Sequence, residues 1–156
     1  MRGKLALSIE CDLNMVGLLG TAVRAMCNDV LPADSADAVE LSVIEAVTNV
    51  IKHGHNSGLT GRNGAQRIEV DVGINDAKVV IDVVDCAPPI PDAALEQASA
   101  SRFDFDETDL ASVPESGMGL ALIKMNMDEV SYSTLDGKNR LTMTKAIPGP
   151  RLVEAE

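Results

Sequence analysis

Aromatic side chains are almost missing from this chain: Phe103, Phe105 and Tyr132, with no tryptophan, make up 2% of its 156 residues. Stacking platforms for single-stranded nucleic acid and aromatic cages are thereby nearly excluded, and the core has to be aliphatic. Positive charge is scarce too. Thirteen lysines and arginines stand against 24 aspartates and glutamates, a formal net charge of -11 at pH 7. That balance has the wrong sign for binding a nucleic acid or an anionic membrane surface. A nucleotide site would have to rely on local backbone dipoles and a metal ion. No apolar run approaches the roughly 20 residues of a membrane-spanning helix. Met1 to Glu10 mixes charged and apolar residues, without the continuous apolar stretch of a signal peptide. The three cysteines, Cys11, Cys27 and Cys86, are widely spaced and lack CxxC or Cys/His ligand spacing, which speaks against a disulfide framework or a zinc site. Reduced thiols in a cytoplasmic protein are the expectation.

What is present is enough for one domain: hydrophobic residues at 46% and charged residues at 24% can bury a core. Leu5, Leu7 and Ile9 alternate, which predicts a first strand ending near Cys11-Asp12. Apolar residues at helical spacing from Asn14 to about Val30 predict a helix, broken at Leu31-Pro32. Ser35 is the expected N-cap of a second, longer helix that carries Val39, Val43, Ala46, Val47 and Val50 on one face and closes at Gly54. Strands over Arg67–Ile74 and Lys78–Asp85 form a hairpin through Asn75-Asp76-Ala77. Cys86 to Ser116 reads as a long connection with one helical turn around Ala93 to Ala98, of a length usually functional or disordered. A third helix opens after Gly117-Met118-Gly119, and strands over Glu129–Leu135 and Leu141–Ile147 flank a turn at Asp136-Gly137-Lys138-Asn139. Hairpin-joined strands are antiparallel. The fold class is therefore α+β, a two-layer sandwich of a mixed, mostly antiparallel sheet with helices on one face.

Three places suggest chemistry. Glu45 and Asn49 are four residues apart on the second helix and so share a face. A carboxylate and an amide there make a general base and an oxygen ligand for Mg2+, or else part of a solvated face with Glu40, Ser42 and Lys52. His53 and His55 are most simply explained as histidines near the carbonyls of a helix end. Asp85 ends an apolar strand, where it can accept a hydrogen bond from a purine amine or simply start the turn before the prolines. Gly117-Met118-Gly119-Leu120 opens a helix, which gives either an anion cradle of backbone N–H groups or an ordinary cap. It is not a Walker loop, because no Gly-Lys-Ser/Thr is present.

Together and in this order, these signals and the long connection before the glycine pair resemble the GHKL ATPase family and its Bergerat ATP-binding fold. The stretches VIEAVTNVIKHGH, SGMGLALIKMNMDEVSYS and LTMTKAI are similar to those of the anti-sigma-factor serine kinases of bacterial partner-switching systems, and the likeness runs from about Leu5 to Ile147. The resemblance implies a single kinase domain over residues 1–147, an ATP lid at about 94–116 and a frayed tail at 148–156. It implies Glu45 as the base that polarises a substrate serine hydroxyl and Asn49 as the Mg2+ ligand. Asp85, with Ala87 beside it, would hold the adenine, and the backbone around Gly117, Met118, Gly119 and Leu120 the phosphates of ATP. The implied partners are a STAS-domain anti-sigma antagonist as substrate, a sigma factor or other sequestered regulator, and a second copy of the chain. The alternative is a partner-sequestering module of the same fold that is non-catalytic, with or without bound ATP.

The chain departs from the family pattern in three places. Ala87 and Pro89 stand where many relatives have glycines, and proline stiffens the loop and offers no N–H. Asn139-Arg140 replaces the Gly-Thr that usually opens the last strand, which removes a possible hydroxyl contact near the base. Arg102 is the only basic residue of the expected lid.

Overall fold

The computed structural model describes residues 3–56, 66–97 and 118–149. Its elements run in the order β1 (Gly3–Glu10), a 3-10 turn (Leu13–Met15), α1 (Val16–Cys27), α2 (Ala33–Asn56), β2 (Arg67–Ile74), β3 (Lys78–Asp85), α3 (Asp92–Gln97), α4 (Met118–Asn126), β4 (Glu129–Leu135) and β5 (Lys138–Ala146). The strands form one sheet in the order β1-β2-β3-β5-β4. Each of these pairings is antiparallel, so among the described residues the mostly antiparallel sheet expected from the hairpins has no parallel pair.

Strand alternation decides which face is covered. Ile68, Val70 and Val72 of β2, Val79, Ile81 and Val83 of β3, and Leu141 and Met143 of β5 are buried, and they pack under the apolar stripe of α2 formed by Val39, Val43, Val47 and Ile51. The opposite face carries mainly charged and hydroxyl residues paired across strands, with Lys4 on Asp71 and Arg140 on Asp82. As expected, the core is aliphatic.

Several boundaries differ from the sequence reading, each for a local reason. α2 starts at Ala33, directly after Pro32, whose carbonyl takes the Ala36 N–H at 2.9 Å. Ser35 therefore lies inside the first turn rather than capping it, and its own N–H goes to Asp34 Oδ1 at 2.8 Å. The helix also runs past Gly54 to Asn56. α4 begins at Met118, so Gly119 lies within its first turn rather than ahead of it. The last turn is the two residues Asp136-Gly137, with φ of 52° and 75°. Positive φ at both positions is what a tight hairpin turn needs. Lys138 and Asn139 consequently belong to β5. Of the expected lid at 94–116, residues 94–97 belong to α3 and the remainder lies outside the described residues, as does Gly117.

α1 crosses α2 at Gly20, where an added Cβ would stand 2.9 Å from both Cγ1 and Cδ1 of Ile44. Gly20→Val is expected to overpack this crossing and destabilise the fold by about 1–3 kcal/mol. Urea unfolding checks it: the midpoint should fall with the slope unchanged, and an unmoved midpoint would show that the helices can separate without cost.

Candidate functional site

β3, β5, α2 and α4 line an open cleft. Its walls are mostly apolar, with Ala46 and Val50 from α2, Val83 from β3, Ile123 from α4 and Leu141 from β5. Asp85, Asn139, Asn49 and Tyr132 supply polar groups.

Asp85 ends β3 with only 7% of its surface exposed. Its Oδ1 accepts the Ala87 N–H at 2.8 Å and an Asn139 Nδ2 hydrogen at 2.8 Å. Burial pushes its carboxyl above the ordinary carboxylate value, against the opposing pull of the Asn139 and Ala87 hydrogen bonds and of the His53 charge. Above that ordinary value the folded chain binds more protons at Asp85 than the unfolded chain does. Ionising Asp85 therefore costs stability as pH rises through this window, a pattern of a group placed for ligand chemistry more than for folding. The charge reaches Cys11, whose thiol is raised first by burial and then by Asp85. Beyond Asp85, the exposed Pro88 and Pro89 lie between two long-range bonds: Asn139 Nδ2 donates to the Ala87 carbonyl at 2.7 Å, and the Ile90 N–H donates to Tyr132 Oη at 2.9 Å. Further along, Lys124 of α4 donates to the Leu95 carbonyl of α3 at 3.1 Å.

The other end of the site lies where α4 meets α2. A Cβ on Gly119 would fall 2.8 Å from Glu45 Oε2, 2.9 Å from Asn49 Nδ2 and 3.3 Å from Asn49 Oδ1. Any side chain here would push the tips of Glu45 and Asn49 out of these positions. Glu45, Asn49 and Gly119, predicted separately from the sequence, are thus brought into one place. Asn49 also lines the cleft, and so does His53, one turn further along α2. At 1.5 Å per residue, Glu45 and His53 are about 12 Å apart along the axis, so α2 spans the site from its acidic floor to the start of α4. Ala87 and Leu120 line the cleft as well, and Met118 is the first residue of α4.

Sequence reasoning missed three contributors. The sequence reading places Asn139 in the turn. The structure corrects this: the residue is buried inside β5 and donates to Asp85. The signal was available in the strand's period of two, since Asn139, Leu141 and Met143 share a phase, but it shows only once the turn is known to be two residues long. His53 was explained by nearby carbonyls at a helix end; it lines the cleft and its charge acts on Asp85. Tyr132, the sole tyrosine, alternates inward with Val130 in β4. The His55 side chain lies outside the described residues. Among the described residues, no group of three or more His, Cys, Asp or Glu is placed to hold a metal, and no helix is long and apolar enough to cross a membrane.

Residues 9–145 match the family described as Histidine kinase-like ATPase domain. The chain belongs to this family. Within it, the serine-protein kinase RsbW of Staphylococcus aureus (strain MRSA252) is 30% identical over 114 residues, covering 73% of this chain and 67% of the relative. The anti-sigma F factor of Geobacillus stearothermophilus is 34% identical over 97 residues, covering 62% of this chain and 59% of the relative. Two solved structures share the fold. The RsbU and RsbW domains of a Mycobacterium tuberculosis protein superpose with a TM-score of 0.64 at 14% identity over 95% of this chain, which spans 33% of that one. The SiaB–SiaC complex of Pseudomonas aeruginosa gives a TM-score of 0.62 at 16% identity, covering 92% of this chain and 88% of that one. The histidine kinase-like ATPase fold thus accounts for both the antiparallel sheet and the helices laid on one of its faces.

Proposed function

We propose that this ATPase domain is a Mg-ATP-dependent serine protein kinase that acts as an anti-sigma factor. It would phosphorylate a STAS-domain antagonist and sequester a sigma factor or similar regulator, as a homodimer in the cytoplasm. The observation that supports this best is the convergence of Glu45 and Gly119 on Asn49, where Asn49 meets an apolar cleft that the buried Asp85 also lines. A ligand touching both places has to be elongated, with a flat apolar part that donates a hydrogen bond and an anionic part beside a helix start.

In this reading Val83, Leu141 and Ile123 would form the apolar lining for the base, and Asp85 would accept a hydrogen bond from its amino group. The first turn of α4, whose N–H groups have no intrahelical acceptor, takes the phosphates. Asn49 would offer Mg2+ one oxygen ligand, the hard oxygen chemistry this ion takes together with phosphates and water. When bound, Mg-ATP supplies the phosphoryl group and neutralises the charge spread over its oxygens. Glu45, four residues before Asn49, receives the proton of the serine hydroxyl. The net charge of -11 is then no obstacle, since backbone dipoles and the ion stand in for a basic patch.

Calorimetric titration with ATP, with and without Mg2+, tests the site. The intact protein is expected to bind in a magnesium-dependent way. Asp85→Asn should bind about 10- to 100-fold more weakly through loss of a charge-assisted bond, and Asn49→Asp should weaken nucleotide binding as well. Equal binding by all three proteins would refute the site. No binding by the intact protein would leave the partner-sequestering module, with Ala87 and Pro89 marking a closed pocket.

A further inference from the structure

The Asp136-Gly137 turn sets the register of β5, pairing Leu135 with Lys138 and Thr134 with Asn139. Strand alternation then carries Asn139 to the helix-covered face, where it is 2% exposed. Every polar atom of its amide is used. Nδ2 donates to Asp85 Oδ1 at 2.8 Å and to the Ala87 carbonyl at 2.7 Å, while Oδ1 accepts from Thr134 Oγ1 at 3.0 Å. This pattern fixes the amide's orientation, because the flipped form would set oxygen against a carboxylate and a carbonyl. Both hydrogen bonds that the described residues give to the Asp85 side chain end on the same oxygen, Oδ1.

We propose that Asn139 is the positioning residue of the cleft: by holding Asp85 through Oδ1 it presents Oδ2, in one orientation, to the amino group of a purine. The proposal rests on the nucleotide reading of this site. A carboxylate turns about a broad, roughly two-fold torsion, and two donors converging on one oxygen remove that freedom before a ligand arrives. The same bonds favour the ionised form where burial favours the neutral acid. A protonated Asp85 would offer a hydrogen where a purine amine needs an acceptor. Among the described residues, the other titratable groups facing Asp85 are His53 from α2 and Cys11 just beyond β1.

The test compares Asn139→Thr with Asn139→Val, which have the same shape and differ by one hydroxyl donor. Both are β-branched and suited to a strand. The first readout is the carboxyl 13C titration of Asp85 in nucleotide-free protein. Its midpoint should move up in Asn139→Val and return toward that of the intact protein in Asn139→Thr. Equal midpoints in the two variants would overturn the proposal, whether or not ATP binds. The second readout is ATP affinity at about pH 8 and about pH 6. Asn139→Val should bind about tenfold more weakly, with the deficit growing at the lower pH, and Asn139→Thr should recover part of it. A deficit of the same size in both variants and at both pH values would mark lost packing and overturn the positioning role. The Val–Thr difference should persist in a His53→Gln background, and its disappearance would assign the effect to His53 instead. If the intact protein bound no ATP, the nucleotide reading and the purine assignment would fall together. If only the Asn139 variants bound as the intact protein does, the nucleotide reading would stand and the positioning role alone would be lost.

Discussion

Glu45→Gln is expected to slow phosphoryl transfer to a serine substrate by about 100- to 10,000-fold, the usual worth of a positioned general base. Glutamine keeps the length, volume and hydrogen-bonding reach of the side chain beside Gly119, so the fit of α4 against α2 is preserved. What it loses is the capacity to take a proton. ATP affinity should therefore change little, because Glu45 is assigned to the substrate hydroxyl and to no contact with the nucleotide. Radiolabel transfer to a STAS-type substrate and calorimetry, run on the same preparation, separate the two effects. Transfer undiminished at equal affinity would remove the base role from Glu45. A loss of affinity as large as the loss of rate would make Glu45 a binding group instead.

Gly119→Ala should be nearly as damaging while leaving the fold intact. In a helix, alanine is ordinarily about 1 kcal/mol better than glycine, so on propensity alone the variant should gain stability. Yet the new methyl would fall 2.8 Å from Glu45 Oε2 and 2.9 Å from Asn49 Nδ2, closer than non-bonded atoms approach. Both obstructing atoms are tips of flexible side chains, so they yield and the core does not. A displacement of about an ångström in groups that must align for reaction can cost about 100-fold in rate. The expected result is a thermal midpoint equal to or above that of the intact protein, with magnesium-dependent ATP binding weakened and transfer lost. Full transfer by Gly119→Ala would mean that the working arrangement of Glu45 and Asn49 differs from the one described.

The sequence was most informative where chemistry and periodicity coincide. Glu45 and Asn49 could be placed on one face of α2 because a helix repeats every 3.6 residues and the intervening Ala46 and Val47 are apolar. The two hairpins and the aliphatic core were legible for similar reasons. Element ends were less so. Ser35 looks like a cap, but Pro32, with its fixed φ, already starts the helix. The turn before β5 looked longer because Asp136, a residue that tolerates positive φ, lets the chain reverse in two residues instead of four. That difference concealed Asn139, whose role depends on Asp85 and Ala87, more than fifty positions away in the chain. No local pattern reports such a bond. His53 does stand in the last turn of α2, as the sequence suggests; that it also lines the cleft near Asp85 depends on β3, which no local pattern reports.

β5 lies between β3 and β4 in the sheet although it comes last in the chain. The Asp85 end of the cleft therefore lacks the wall that Leu141 and Asn139 supply until this strand inserts, and Asp85 lacks its Asn139 partner until then. A ribosome has to release nearly all of this domain before the pocket can exist, and closing it requires the distant β3–β5 pairing, a slow kind of contact to form. Nucleotide present during synthesis has no cleft to template. It can act only on the finished domain, by drawing the equilibrium toward the folded state.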